Sequence, residues 1–144
     1  LDNDPDFFGD QVIIDETETI LRMEPHAVIN SSQWNLNTVV EKVEAYNGLV
    51  IPAHIDSSTN SILSQLGFMP KVPQFQLFGI SACLDVKSWV KENPYFQDKV
   101  FLRASDAHYL SDIGKGYSII TVEEPSVQEW FLAAKGCGRR KIEI

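Results

Sequence analysis

From about residue 36 to its end, the chain alternates segments of helical apolar period with short apolar runs that read as strands. That alternation narrows the fold class more than any other feature. "NLNTVVEKVEAYNG" sets Leu36, Val39, Val40 and Val43 at helical spacing, with Asn35 in the cap position and Gly48 just past the end. "LVIPA" follows as a short buried strand, and "STNSILSQLG" as a short helix carrying Ile62, Leu63 and Leu66 and closed by Gly67. "FQLFGI" reads as a strand, "LDVKSWVKEN" as a helix stopped by Pro94, and "KVFLRA" and "GYSIITV" as further strands. "PSVQEWFLAAKG" carries a capping box of Ser126 and Glu129 and ends at Gly136, and "RRKIEI" reads as a closing strand. Strands and helices in this order indicate parallel βαβ units, hence an α/β class.

The first 30 residues do not share the alternation. "QVIID-ETET-ILRM" reads as a β-hairpin around a polar turn. No linker, repeat or low-complexity tract separates it from the rest, so one domain over residues 1–144 is expected, with a hairpin or irregular part over 1–30 and βα units over 36–144. Its 44% apolar and 22% charged residues are those of a folded globular domain. The net charge of −8 and pI near 4.7 speak against a general affinity for nucleic-acid backbones or anionic membranes. They leave room for a phosphate-handling site, because a bound metal reverses the local field. No apolar run approaches the roughly 20 residues of a membrane span, and the acidic start "LDNDPDFFGD" has no signal-peptide pattern. Cys83 and Cys137 form no framework and no Cys-x-x-Cys pair, which suggests reduced thiols and a cytoplasmic setting.

In parallel α/β folds ligands bind beyond the carboxyl ends of strands. His54 falls just after "LVIPA", and Asp106 and His108 just after "KVFLRA", so all three project from one end of the sheet if both strands are parallel. Residues two apart on extended chain point to one side, which lets Asp106 and His108 converge. Two imidazoles and a carboxylate suit Zn²⁺, Mn²⁺ or Fe²⁺. The competing reading is a loop aspartate and surface histidines without a ligand. The third histidine, His26, has no comparable context and reads as structural or exposed. Asp56 suits either a metal or, preferably, the cap of the helix that starts near Ser58. "GKG" at 114–116 lacks the pattern of a phosphate loop, and Ser105 sits on no nucleophile elbow. Trp34, Trp89 and Trp130 lie on or beside apolar helix faces and read as core.

"GLVIPAHID" and "RASDAHYLSDIG", with their order and separation and the downstream "GYSIITVEEPSVQEWFLAAKG…GRRKI", resemble the later motifs of the polymerase and histidinol phosphatase (PHP) superfamily, in its branch of metal-dependent phosphoesterases. The resemblance covers about residues 10 to 144. It implies metal-ligand roles for His54, Asp106 and His108 and a distorted (β/α)7 barrel with a multi-metal cluster at the strand ends. It also implies hydrolysis of a small phosphate ester or nucleotide by water that the metals activate, with no protein nucleophile. The His-x-His motif that opens such domains is absent, and the chain starts without methionine. The expectation is therefore the carboxyl-terminal portion of a longer domain, poorly active by itself, whose open sheet edges favour pairing of copies. The rival expectation is a non-catalytic module of the same ancestry that serves protein contacts or regulation.

Overall fold

Two parallel strands and the helix between them form the centre of the fold. Strand β3 (Leu77–Ile80) pairs with β4 (Val100–Arg103), Leu77 opposite Val100 and Ile80 opposite Arg103. Helix α4 (Val86–Glu92) makes the crossover and starts at Asp85, whose carboxylate accepts the Lys87 and Ser88 N–H groups. A 3₁₀ turn, Pro94–Phe96, succeeds it at the proline expected to stop it. The computed structural model describes residues 1–144, which divide into two compact units, Leu1–Asn35 and Leu36–Ile144.

The larger unit opens with α2 (Leu36–Ala45) and continues through α3 (Ile62–Leu66), β3, α4 and β4 to the antiparallel pair of β5 (Ile119–Thr121) and β6 (Lys141–Glu143), which α5 (Val127–Ala134) connects. Its core is Val40, Ile55, Phe75, Phe78, Ile80, Phe96 and Phe101. Phe78 is wholly buried, with its ring 5.2 Å from that of Phe96 and nearly perpendicular to it. Trp89 packs on this cluster, whereas Trp34, read from sequence as core, is exposed.

The smaller unit is a helical turn, α1 (Pro5–Phe8), and an antiparallel hairpin of β1 (Val12–Ile14) and β2 (Ile20–Met23). The turn forms because Asp15 Oδ1 accepts the N–H groups of Thr17 and Thr19 and the Thr17 hydroxyl. The Gln11 side chain donates to the carbonyls of Glu24 and His26 and accepts the Val28 N–H, tying the segment after β2 to the hairpin.

The barrel expected from the sequence is not what forms. The strands make three separate two-stranded sheets, only one of them parallel, and nothing closes. Two local causes are visible. "LVIPA" is extended but joins no regular ladder. On the free side of β4, the Ser118 hydroxyl accepts the Arg103 N–H at 2.7 Å and donates to the Arg103 carbonyl at 3.0 Å, so a side chain stands where a neighbouring strand would pair. The chain then returns as the antiparallel β5–β6 pair in place of a further parallel strand. No helix is long and apolar enough to cross a membrane.

Candidate metal centre

The segment before β3 reaches its position through one glycine. The Gly79 N–H donates to the Pro52 carbonyl at 2.8 Å, and the Ile55 N–H donates to the Gly79 carbonyl at 3.0 Å. Regular parallel pairing would return the second bond from residue 54, so Ala53 and His54 together stand opposite a single residue, the count of a β-bulge. The bulge is why this run is no regular strand. A Cβ on Gly79 would lie 3.3 Å from Ala53 Cα and 3.4 Å from the Pro52 carbonyl oxygen, so the close approach depends on its absence.

His54 takes up the extra residue with φ of 45°, in the left-handed region that non-glycine residues seldom occupy. The neighbouring Ile55 is buried in the core, while His54 is turned to line a cleft of about 290 Å³. The cleft is closed mainly by Ile51, Ile80, Leu102 and Ala104, with Asp106 at its edge. Asp106 is also left-handed, with φ of 48°. Two of the four non-glycine residues with positive φ therefore line one cleft, each held in a conformation that costs about 1–3 kcal/mol elsewhere in proteins.

The two side chains meet. His54 Nε2 lies 3.5 Å from Asp106 Oδ2, and both groups keep access to solvent. That separation is longer than a good hydrogen bond. It matches two corners of a tetrahedral site, because ligand atoms roughly 2.1 Å from one ion are roughly 3.4 Å apart. The donor set, one imidazole nitrogen and one carboxylate oxygen, also suits Zn²⁺, Mn²⁺ or Fe²⁺. The pair thus fits a cation as half of a tetrahedral shell.

His108 does not complete it. The left-handed turn at Asp106 breaks the extended geometry that would put residues 106 and 108 on one side. His108 Nδ1 instead lies 2.8 Å from the Asp106 carbonyl oxygen. A carbonyl only accepts, so Nδ1 is the donor there, and in the neutral ring Nε2 is left as the nitrogen open to a ligand. No group of three or more His, Cys, Asp or Glu side chains converges anywhere in the chain. His26 is far more exposed and holds Nδ1 3.0 Å from Glu24 Oε1. Glu24 is drawn down to about 2 by the His26 side chain and N–H and by Arg22.

Three supporting residues carried weak signals in the sequence. Asp56 caps no helix; α3 starts at Ser61, and Asp56 Oδ1 accepts the Ser81 N–H at 2.9 Å, fastening the bulged loop to the end of β3. The Ser105 hydroxyl accepts the Gly114 N–H at 2.8 Å and donates to the Gly116 carbonyl at 3.0 Å, clamping the 114–116 loop beside Asp106. Gly79 was readable only as a glycine inside a strand pattern, a common mark of close backbone approach.

Comparison with protein-family models finds no match, and no solved structure matches the chain. The chain is similar to the uncharacterized protein YqxK of Bacillus subtilis (strain 168), with 36% identity over 111 residues, 71% of this chain. It spans about a quarter of that relative's length, 27%.

Proposed function

We propose that this chain is part of a metal-dependent phosphoesterase of the PHP superfamily, and that His54 and Asp106 hold a divalent cation in the cleft beside β3 and β4. The observation that carries the reading is their 3.5 Å approach from the bulged run beside β3 and the loop after β4, each on a left-handed backbone. Strained backbone conformations cluster at functional sites, and here two of them bring a nitrogen and an oxygen donor together. A bound cation there supplies Lewis acidity to a phosphoryl oxygen and activates water. The residues themselves do simpler work. His54 and Asp106 present donors, while Ile51, Ile80 and Leu102 exclude bulk water from one wall. Asp56 and Ser105 keep the two loops in register. The His108 Nε2 lone pair stands ready as a further donor. The substrate class is a small phosphate ester or nucleotide. The two free cysteines fit a cytoplasmic, reducing setting.

A catalytic cluster needs more donors than this chain brings together. The 144-residue chain by itself is therefore expected to bind one cation and to turn over phosphate esters poorly. The lack of a third converging donor also favours a second reading, a non-catalytic module that keeps the cleft for contacts with other proteins. Calorimetric titration of Zn²⁺ and Mn²⁺ into the metal-stripped chain, followed by assay against phosphate mono- and diesters, separates the two. Binding near one metal per chain that is lost in Asp106→Ala supports the phosphoesterase reading. Absence of binding moves the module to first place, and rapid turnover by this chain would show that its donor set is sufficient.

A further inference from the structure

Successive residues at the end of β4 and just past it serve opposite sides. Leu102 and Ala104 line the His54–Asp106 cleft, and Arg103, between them, lines a second cleft of about 260 Å³ that shares no residue with the first. We infer that this second cleft binds a small organic oxyanion, a carboxylate or a phosphate, through the Arg103 guanidinium.

Arg103 is placed for such a role. Its backbone is held on both polar groups by the Ser118 hydroxyl, and its Nη2 donates to the Leu84 carbonyl at 2.7 Å, so the side chain is pre-set. Its Nε is buried and has no hydrogen-bond partner, and it forms no ion pair with any carboxylate. A guanidinium without a carboxylate partner lacks the acceptor that its planar fork is built to take.

The other charges lining the cleft are already matched. Lys115 Nζ lies 2.6 Å from Asp112 Oδ1, and Glu143 Oε2 lies 2.8 Å from Lys141 Nζ. Arg103 is thus the charged side chain of the lining without a carboxylate side chain as partner, and Tyr117 and Ile119 offer exposed apolar surface for the body of a ligand. The floor is rigid. A Cβ on Gly116 would lie 2.7 Å from both the Ala104 carbonyl oxygen and Ala82 Cβ, so this loop rests directly on the ends of β3 and β4. Its carbonyl also accepts from Ser105, next to Asp106, which gives an occupied cleft a short structural route to the proposed metal pair.

The test uses the whole chain, metal-stripped, so that no cation at His54 and Asp106 recruits an anion. Inorganic phosphate and acetate are titrated separately while the arginine Nε–Hε resonances are followed by NMR. A saturating shift of the Arg103 signal with either probe is expected, and the stronger probe tells phosphate from carboxylate ligands. Arg103→Met should weaken that binding by at least about tenfold, and Arg103→Lys by less, because it keeps the charge without the fork. Glu143→Gln, remote from the core, should tighten it by roughly two- to threefold, because it removes a negative charge from the lining and leaves Lys141 unmatched. It serves as the decisive variant if Arg103→Met fails to fold. No shift at Arg103 with either probe overturns the inference, as does affinity unchanged in Arg103→Met or in Glu143→Gln. A metal titration that fails while these shifts appear would sink the proposed function and leave this site standing.

Discussion

The two units of the chain hold themselves together by different means. In Leu36–Ile144 an aromatic cluster around Phe78 and Phe96 supplies the core. In Leu1–Asn35 only Ala27 is a buried apolar residue, and Val12, Ile14, Ile20 and Met23, which the pairs Val12–Met23 and Ile14–Ile20 put on one face of the hairpin, are all exposed. The smaller unit relies on Asp15 in its turn and on the Gln11 amide. Charge divides the same way. Eight of the twenty acidic residues but one of the twelve basic ones lie in the first 35 positions, so that unit carries seven of the eight net negative charges. A two-stranded hairpin with an exposed apolar face is marginal in water, whereas the larger unit has the core to hold two left-handed residues in place.

The contrast can be broken or sharpened by substitution. Phe78→Ala should have the largest effect, removing a fully buried ring at a cost of about 3–5 kcal/mol, read from the urea midpoint. Gly79→Ala should cost less, on the order of 1 kcal/mol, because the added methyl presses on Ala53 and Pro52 by only a few tenths of an ångström. Its diagnostic consequence is weaker Zn²⁺ binding, since the bulge carrying His54 is what must give way.

Acid should distinguish the units next. Glu129 is held below the usual carboxylate range by the Arg140 guanidinium and then by the Glu123 N–H, and Glu24 is drawn from 4.5 to about 2. Both are depressed acids, so each contributes stability that is complete above its ordinary value and fades as pH falls through the folded one. For Glu24 that window runs from about 4.5 down to about 2. Amide exchange around Glu24–His26 should accelerate within it in the native chain and show no such step in Glu24→Gln. The smallest effect is expected from Ile20→Ser, within about 0.5 kcal/mol, because Ile20 is 60% exposed. A cost approaching that of Phe78→Ala would mean that this hairpin face is covered.

Local signals in the sequence are legible where one residue settles the matter. Leu36 starts α2, Gly67 takes the left-handed position that ends α3, and Asp85 caps α4. Ser126 accepts the Glu129 N–H as half of the expected capping box, but the Glu129 carboxylate turns away to Arg140 and the Glu123 N–H. What the sequence concealed was non-local. Apolar runs such as "LVIPA" and "GYSIITV" do not state which partner they meet, and neither the Ser118 hydroxyl on β4 nor the antiparallel return of β6 leaves a pattern. The site was half legible for a related reason. That His54 and Asp106 share a cleft agrees with their places after two apolar runs, but the left-handed turn at Asp106, which turns His108 back onto its own loop, has no signature in "SDAH".

The presence of three histidines makes one measurement decisive for the metal pair. Zn²⁺ is added to the metal-stripped chain while the imidazole nitrogen resonances are followed by NMR. His54 Nε2 should shift at one equivalent and His26 should not, and the His54 response should vanish in Asp106→Ala. Equal shifts at all three histidines, or a His54 response indifferent to the loss of Asp106, would contradict a cation held by this pair.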